Sequence, residues 1–158
     1  MKLPTHTMTD QELTSYVTRL NIPYFRGVHM RDQIPRRPPR ENECGILNLN
    51  THLEPGSHWT CWFVTHGSRP HERYYFDSFG EPPPPELMRY LKTPHELKTD
   101  KAVIRRSAVT VQHDRTNECG ALCLYVLKHL TSGVPLSHIL AVLLKRYESH
   151  DPDRALTL

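Results

Sequence analysis

The stretch VQHDRTNECGALCLYVLKHL, residues 111–130, joins a polar loop to an apolar helical repeat and decides the fold of the chain. Its second half predicts a helix with one buried face, because apolar residues recur at steps of one, three or four: Leu122, Cys123, Val126, Leu127 and Leu130. Cys119 stands where this helix begins. The partial positive charge at a helix N-terminus favours a thiolate, the nucleophilic form of cysteine. The alternative is a buried structural cysteine, because free cysteines are among the most buried residues.

Two upstream segments favour a catalytic cysteine over a structural one. His58 precedes an apolar run of strand-forming residues, and Asp77 follows an aromatic run of the same kind. A thiol enzyme needs a base for the thiol proton and a third group that orients the base. His58 and Asp77 supply these groups. Gln112, seven positions before Cys119, is placed to donate an amide N–H to a developing oxyanion.

The tripeptide Glu-Cys-Gly occurs twice, at 43–45 and at 118–120, so there are two candidate nucleophiles. Cys44 precedes a strand-like run, where no helix dipole stabilises a thiolate, and no glutamine stands before it. We therefore expect Cys119 to be the nucleophile. Cysteine and histidine also build zinc sites, but the sequence has no C-x-x-C pair and no H-x-x-x-H motif, so we expect no metal.

Length and composition fit one domain, expected to span 1–158 with a core at 10–147 and a polar tail at 148–158. No apolar run is long enough to cross a membrane, and the N-terminus lacks the apolar core of a signal peptide. The four cysteines have no paired spacing, which indicates free thiols in a reducing compartment. We expect a monomer that is neither secreted nor bound to a membrane.

Local patterns predict the remaining elements. Thr9-Asp10-Gln11-Glu12 is a capping box that begins a helix, and Asn21 and Pro23 end it. Alternating and apolar runs predict strands at 45–49, 60–65, 73–79 and 101–111, with a hairpin turn at 66–70 between the second and third. Further helices are expected at 85–91 and 136–147, an extended or turn segment at 24–28, and a proline-rich loop at 31–43.

Three basic pairs stand out in a chain of net charge +3: Arg36 with Arg37, Arg105 with Arg106, and Lys145 with Arg146. If the pairs lie on one face, the protein would bind DNA weakly and without sequence preference, because arginine and lysine neutralise phosphates. The alternative is that they are ordinary solvated charges on separate faces.

Taken together, the motifs resemble the adenain-like family of adenovirus cysteine proteases, which belongs to the same clan as the SUMO-specific proteases. The resemblance rests on GSHW at 56–59, YFDSFG at 75–80 and Q-x6-CGALC at 112–123. It extends over residues 10–145, and the segment FRGVHMRD at 25–32 is most similar to proteases of adintoviruses and Maverick-type elements.

The resemblance implies an α+β fold, with a central mixed β-sheet packed against helices and a cleft beside the Cys119 helix. It implies that His58 is the general base, Asp77 the orienting acid, Cys119 the nucleophile and Gln112 the oxyanion donor. The family's substrates are viral precursor proteins cut next to glycine during virion maturation, which implies a location in the virion and the host nucleus or cytoplasm.

Trp59 and Gly120 are expected to border the substrate cleft. Trp59 lies beside the base and would narrow the cleft so that only a residue without a side chain, glycine, passes. The alternative, given equal weight, is that Trp59 anchors the hydrophobic core. The chemistry requires no cofactor, but the resemblance implies an activator, either DNA or a viral peptide. The cysteine that links such a peptide by a disulfide in the mastadenovirus enzyme has no counterpart near Lys101.

Three other functions remain open at this point. The same chemistry serves an isopeptidase that removes ubiquitin-like modifiers. The clan also includes acetyltransferases that use this triad. The third is a binding module that has the same cleft but no catalytic activity. Against it, every position that the catalytic chemistry requires has a residue of the suitable type in this sequence.

Overall fold

The structure, a computed structural model, describes residues 1–54, 58–65, 72–92, 104–149, 151 and 154–158. One sheet contains five strands in chain order: β1 (Phe25–Met30), β2 (Glu43–Asn48), β3 (Trp59–Thr65), β4 (Glu72–Phe76) and β5 (Ile104–Arg106). The pairs β2–β3 and β3–β4 are antiparallel, whereas β1–β2 and β4–β5 are parallel. The expected α+β class with a central mixed sheet is therefore confirmed.

Helices cover both faces of this sheet. They are α1 (Asp10–Arg19), α2 (Pro85–Leu91), α3 (Cys119–Thr131) and α4 (Leu136–Glu148). Side chains alternate between the faces along a strand. Cys61 and Phe63 of β3 therefore join the core under α1, α3 and α4, while Trp62 and Val64 join the core under α2. Because both faces are covered, β2 and β3 are buried along nearly their whole length.

Helix α3 lies at the centre of the larger core. The prediction of one buried face is wrong, because its buried positions go nearly all round the helix: residues 119–124, Val126, Leu127 and Leu130. β3 packs on one side of the helix, and α1 and α4 pack on others. A helix that is covered on several sides has to be apolar on several sides.

The predicted capping box at the start of α1 is confirmed. The Thr9 hydroxyl accepts from the Glu12 backbone N–H at 3.1 Å, and the Glu12 carboxylate accepts from the Thr9 N–H at 3.2 Å. Asn21, with a φ of 54°, follows the helix in the left-handed conformation that asparagine tolerates. The helix therefore begins and ends where the sequence predicts.

The strands differ from their predictions at the sheet edges. Residues 25–30 form a full strand, and β5 ends at Arg106, whereas the predicted strand continued to 111. Past β5 the chain leaves the sheet, and the Val111 N–H donates to the Ser78 carbonyl at 2.8 Å. The predicted turn at 66–70 and the Lys101 position lie outside the described residues. Among the residues that are described, no helix is long and apolar enough to span a membrane.

The two chain ends belong to the core, so the expected limits of 10 and 147 are wrong. The Leu3 N–H donates to the Leu156 carbonyl at 2.8 Å, and the Leu158 N–H donates to the Met1 carbonyl at 2.9 Å. Leu3 and Leu156 are both buried in the core around α3. The terminal residues therefore form one more antiparallel contact. They also contribute apolar side chains to the core, although the C-terminal tail was predicted to be polar.

The basic pairs do not share one face. The segment with Arg36 and Arg37 lies on the α2 side of the sheet, next to Ile34 and Val64. Lys145 and Arg146 lie on α4, which packs against α3 on the opposite side. The condition for one DNA-binding surface is therefore not met by the three pairs together.

Candidate active site

His58 and Asp77 meet at one end of the central sheet. His58 directly precedes β3 and Asp77 directly follows β4, and the antiparallel pairing of these strands brings the two positions together. The His58 Nε2 lies 2.8 Å from the Asp77 Oδ1. A carboxylate only accepts hydrogen bonds, so Nε2 carries the proton and Nδ1 is left to act as a base.

The His58 ring is held from a second direction by Phe79. The two rings stack with centroids 5.0 Å apart and an angle of 30° between their planes. Burial lowers the pKa of His58, but the hydrogen bonds to Asp77 and Cys119 outweigh it and raise the pKa to about 9. Both partners therefore stabilise the His58 ring once it takes up a second proton.

Cys119 is the first residue of α3, and its side chain lies within hydrogen-bonding reach of the His58 ring. One turn later, the Cys123 carbonyl accepts from the Cys61 thiol of β3 at 3.9 Å, which sets the start of α3 over the start of β3. Glu118 occupies the N-cap without a side-chain capping bond. The first N–H groups of α3 therefore have no side-chain acceptor at the cap.

Asp77 is 1% exposed, and its position is fixed by its own backbone and by the turn that follows. Its N–H donates to the Ser107 hydroxyl at 3.1 Å, and that hydroxyl donates to the Asp77 carbonyl at 3.0 Å. The Phe79 N–H donates to Oδ1 at 2.9 Å. Sequence reasoning did not find Ser107, because a contact across 30 positions leaves no local pattern.

Gln112 is buried, and its amide has one defined orientation. The Ser78 hydroxyl donates to Oε1 at 2.6 Å, and Nε2 donates to the Thr116 carbonyl at 3.0 Å. Because Nε2 has two hydrogens and Thr116 takes one, the second N–H is left to serve another acceptor. Ser78 lies in the YFDSFG motif, but the motif alone does not indicate that this hydroxyl bonds to Gln112.

The other three cysteines have structural surroundings. Cys44 is fully buried in β2, and burial raises its pKa well above the usual range. Burial also raises the pKa of Cys123. Cys61 is 1% exposed and bonds to the backbone of α3. Of the four thiols, Cys119 is the one that faces a histidine.

The residues expected to border the cleft, Trp59 and Gly120, contact the N-terminal segment. The Trp59 indole N–H donates to the Met8 carbonyl at 2.8 Å, and the side chain is buried in the core. A Cβ added to Gly120 would lie 3.2 Å from Leu13 and 3.3 Å from Met8. These contacts describe packing roles, and a part in substrate selection stays a prediction for both residues.

Arg146 is bonded inside the protein, which corrects its expected place on a DNA-binding surface. Its guanidinium donates to both carboxylate oxygens of Glu118, at 3.0 and 2.8 Å. Glu118 is 2% exposed and directly precedes Cys119. The next residue on α4, Tyr147, stacks on His113 with ring centroids 4.3 Å apart. Helix α4 therefore holds both ends of the loop that leads to the nucleophile position.

We expect Arg146→Ala to lower the free energy of unfolding by about 3–5 kcal/mol, because it leaves the buried Glu118 carboxylate without a partner. Urea denaturation measures this change. Lys145→Ala, at the exposed neighbouring position, is the matched control and should change stability by less than about 0.5 kcal/mol. The double variant Glu118→Ala/Arg146→Ala should recover part of the loss. Equal effects of Arg146→Ala and Lys145→Ala would show that the pair does not stabilise the loop.

Comparison with known proteins finds sequence similarity to cysteine proteases of a virus. No family model matches the chain. The cysteine protease S273R of African swine fever virus, from a tick isolate from Malawi, is 27% identical over 109 residues, covering 67% of this chain and 40% of that protein. A protein from the Pretoriuskop isolate, described as a SUMO-1 cysteine protease S273R, is 24% identical over 116 residues, covering 72% and 42%.

The fold matches the crystal structure of the African swine fever virus pS273R protease. The TM-score is 0.59 at 17% identity, over 87% of this chain and 62% of that one. The selenomethionine crystal form gives 0.57 at 15% identity, over 93% and 68%. The chain is thus homologous to viral cysteine proteases and has their fold, and it spans about two fifths of the length of the curated relatives.

Proposed function

We propose that the protein is a cysteine endopeptidase that cleaves viral precursor proteins next to glycine during virion maturation. The observation that carries this proposal is the His58 ring, bonded through Nε2 to Asp77 on one side and facing the Cys119 thiol at a helix start on the other. The similarity to viral cysteine proteases supports it. The narrower placement near the adintovirus and Maverick-type proteases belongs to the same proposal.

In the proposed mechanism, Nδ1 of His58 takes the Cys119 thiol proton, and the thiolate attacks the scissile carbonyl carbon. The imidazolium then protonates the leaving amine, which leaves an acyl-enzyme thioester. His58 next takes a proton from water as the water attacks the thioester, and the carboxyl product leaves as the thiol re-forms. Asp77 orients the ring and stabilises its charged form throughout.

The negative charge on the carbonyl oxygen needs donors that are already in place. We propose that Gln112 supplies its second amide N–H, since Ser78 and Thr116 fix the orientation of the amide. The backbone N–H of Cys119 at the start of α3 is the second donor. Every proton in this sequence of steps is carried by a side chain or by water, so the chemistry needs no cofactor.

A second candidate function is removal of a ubiquitin-like modifier by the same three residues. The name of the Pretoriuskop relative, a SUMO-1 cysteine protease, favours this alternative. Both functions use one thioester mechanism and differ in the substrate that reaches the cleft. An experiment can therefore distinguish the two functions only by the substrate that is cleaved, because the chemical steps are the same.

The test is incubation of the protein with a virion-precursor peptide that contains a glycine at the cleavage position and, separately, with a ubiquitin-like fusion protein. Each reaction is run with and without iodoacetamide. We expect cleavage of the precursor peptide, blocked by iodoacetamide. Cleavage of the fusion alone would establish the isopeptidase, and cleavage that survives complete alkylation would exclude a thiol mechanism. We propose that the reaction takes place in the virion and in the host nucleus or cytoplasm.

We expect Gln112→Ala to lower kcat by about 10²–10³, with a smaller effect on KM, as for other side-chain oxyanion donors. Alkylation of Cys119 by iodoacetamide should keep its rate, because that reaction develops no carbonyl oxyanion. Steady-state kinetics and mass spectrometry measure the two quantities. An equal loss of alkylation and peptide cleavage would assign Gln112 a structural role.

A further inference from the structure

A groove rich in arginine lies far from the candidate active site. It has a volume of about 1010 Å³ and lies between the segment 31–41 and helix α2, and we call it the arginine groove. Its floor includes Val64, near the end of β3 opposite to His58. Val64 lies six positions after His58, which corresponds to about 20 Å along an extended strand at roughly 3.3 Å per residue. A molecule bound in the arginine groove would therefore leave the candidate active-site cleft open.

The groove carries an excess of positive charge that its own acidic side chains do not neutralise. Seven cationic and three acidic side chains line it. Two of the acids already have partners, because Glu86 accepts from Arg31 at 2.7 Å and Asp32 bonds to His52. Within the described part of the chain, the side chains of Arg36, Arg37 and Arg89 have neither a hydrogen bond nor an ion pair.

The walls of the groove are fixed before any partner binds. Arg31 joins the segment 31–41 to α2 through Glu86, and it also donates to the Leu49 carbonyl at 3.3 Å. Three prolines in the same segment restrict its backbone. A rigid wall lowers the entropy that binding costs.

The floor is apolar, and this property distinguishes between two kinds of polyanion. Ile34, Val64 and Tyr90 belong to the core under α2 and also line the groove. A nucleic-acid backbone carries a charge at every nucleotide and has no apolar side chains that alternate with its charges to cover the floor. An extended polypeptide alternates side chains, so it places carboxylates on the arginines and apolar groups on the floor.

We propose that the arginine groove binds an acidic, extended segment of a partner protein, with its carboxylates paired to Arg36, Arg37 and Arg89. Arginine suits this task, because its planar guanidinium binds a carboxylate through two parallel hydrogen bonds. Apolar side chains of the segment cover the floor. The groove thus supplies a second contact with a protein that is separate from the candidate cleavage site.

The test uses the full chain and a fluorescent peptide of six Glu-Leu repeats, with binding measured by anisotropy at low and moderate salt. The double variant Arg36→Gln/Arg37→Gln should weaken binding about tenfold or more, since it removes charge-assisted hydrogen bonds. The matched control Arg105→Gln/Lys145→Gln removes the same charge from exposed positions outside the groove and should change Kd less than about twofold. Circular dichroism verifies that both variants fold.

Two further probes decide what the groove recognises. A peptide of six Gln-Leu repeats should bind at least about tenfold more weakly than the glutamate peptide, because it cannot form charge-assisted pairs. A single-stranded oligonucleotide of the same length should bind more weakly than the glutamate peptide and fail to displace it. The proposal is overturned if the glutamate peptide does not bind, if the control variant weakens binding as much as the groove variant, or if the oligonucleotide displaces the peptide.

Discussion

Cys119→Ala should lower kcat by about 10⁶, the scale of loss when the nucleophile of a catalytic triad is removed. Its thiol is the one that faces the His58 ring, and no other thiol lies where it can replace it. The measurement is single-turnover cleavage of the precursor peptide with a high enzyme concentration. In the unchanged protein, mass spectrometry should find the first iodoacetamide adduct on Cys119.

The matched controls are Cys44→Ala, Cys61→Ala and Cys123→Ala, which remove buried thiols away from the His58 ring. All three should keep kcat within a few-fold, and Cys123→Ala should lower the free energy of unfolding by about 1 kcal/mol, because its side chain is fully buried. An inactive but folded Cys44→Ala variant, with Cys119→Ala still active, would transfer the nucleophile to Cys44.

Cys119→Ala also has an effect that needs no substrate. The sulfur is one of the groups that raise the pKa of His58 to about 9, so its removal should lower the pKa of that imidazole. NMR titration of the ring measures the change in the unligated protein. An unchanged imidazole pKa would mean that the two side chains do not interact, whatever the kinetics of the variant.

The catalytic-type residues can be located from sequence because each stands at the boundary of a regular element. His58 precedes a strand, Asp77 follows one and Cys119 begins a helix, and the antiparallel register of β3 and β4 then brings the first two together. Local periodicity locates such boundaries, since it shows where an apolar run begins or ends. The mixed sheet itself was implied by family resemblance, and the structure confirms it.

Residues that act through distant contacts leave no such signal. Ser107 holds Asp77 from 30 positions away, and Arg146 holds Glu118 from 28. Arg146 was expected on a DNA-binding surface because its neighbour in sequence is basic, but adjacency does not say which side of a helix is buried. The same applies to Leu156, a single apolar residue in a polar tail that reaches the core. The contacts of these residues are visible only in the tertiary structure, because the sequence does not show which face of an element packs against the core.

Asp77→Asn should lower kcat by about 10⁴, as in other triads in which the orienting carboxylate becomes an amide. The hydrogen bond to the Asp77 carboxylate contributes most to raising the pKa of His58 to about 9, and the neutral amide cannot stabilise the imidazolium. The fold should persist, because the Phe79 N–H keeps an oxygen acceptor and Ser107 bonds to the backbone of residue 77.

The pH dependence separates this role from a structural one. A group whose pKa is raised on folding stabilises the folded state below its unfolded pKa, and it loses that contribution as pH rises through the folded value. For His58 the loss should fall between about pH 6.5 and 9, and in Asp77→Asn the upper end of this window should move to lower pH, together with the alkaline limb of kcat/KM. Urea denaturation and pH–rate profiles measure the two shifts. A folded Asp77→Asn protein with full activity and an unmoved alkaline limb would remove Asp77 from the site.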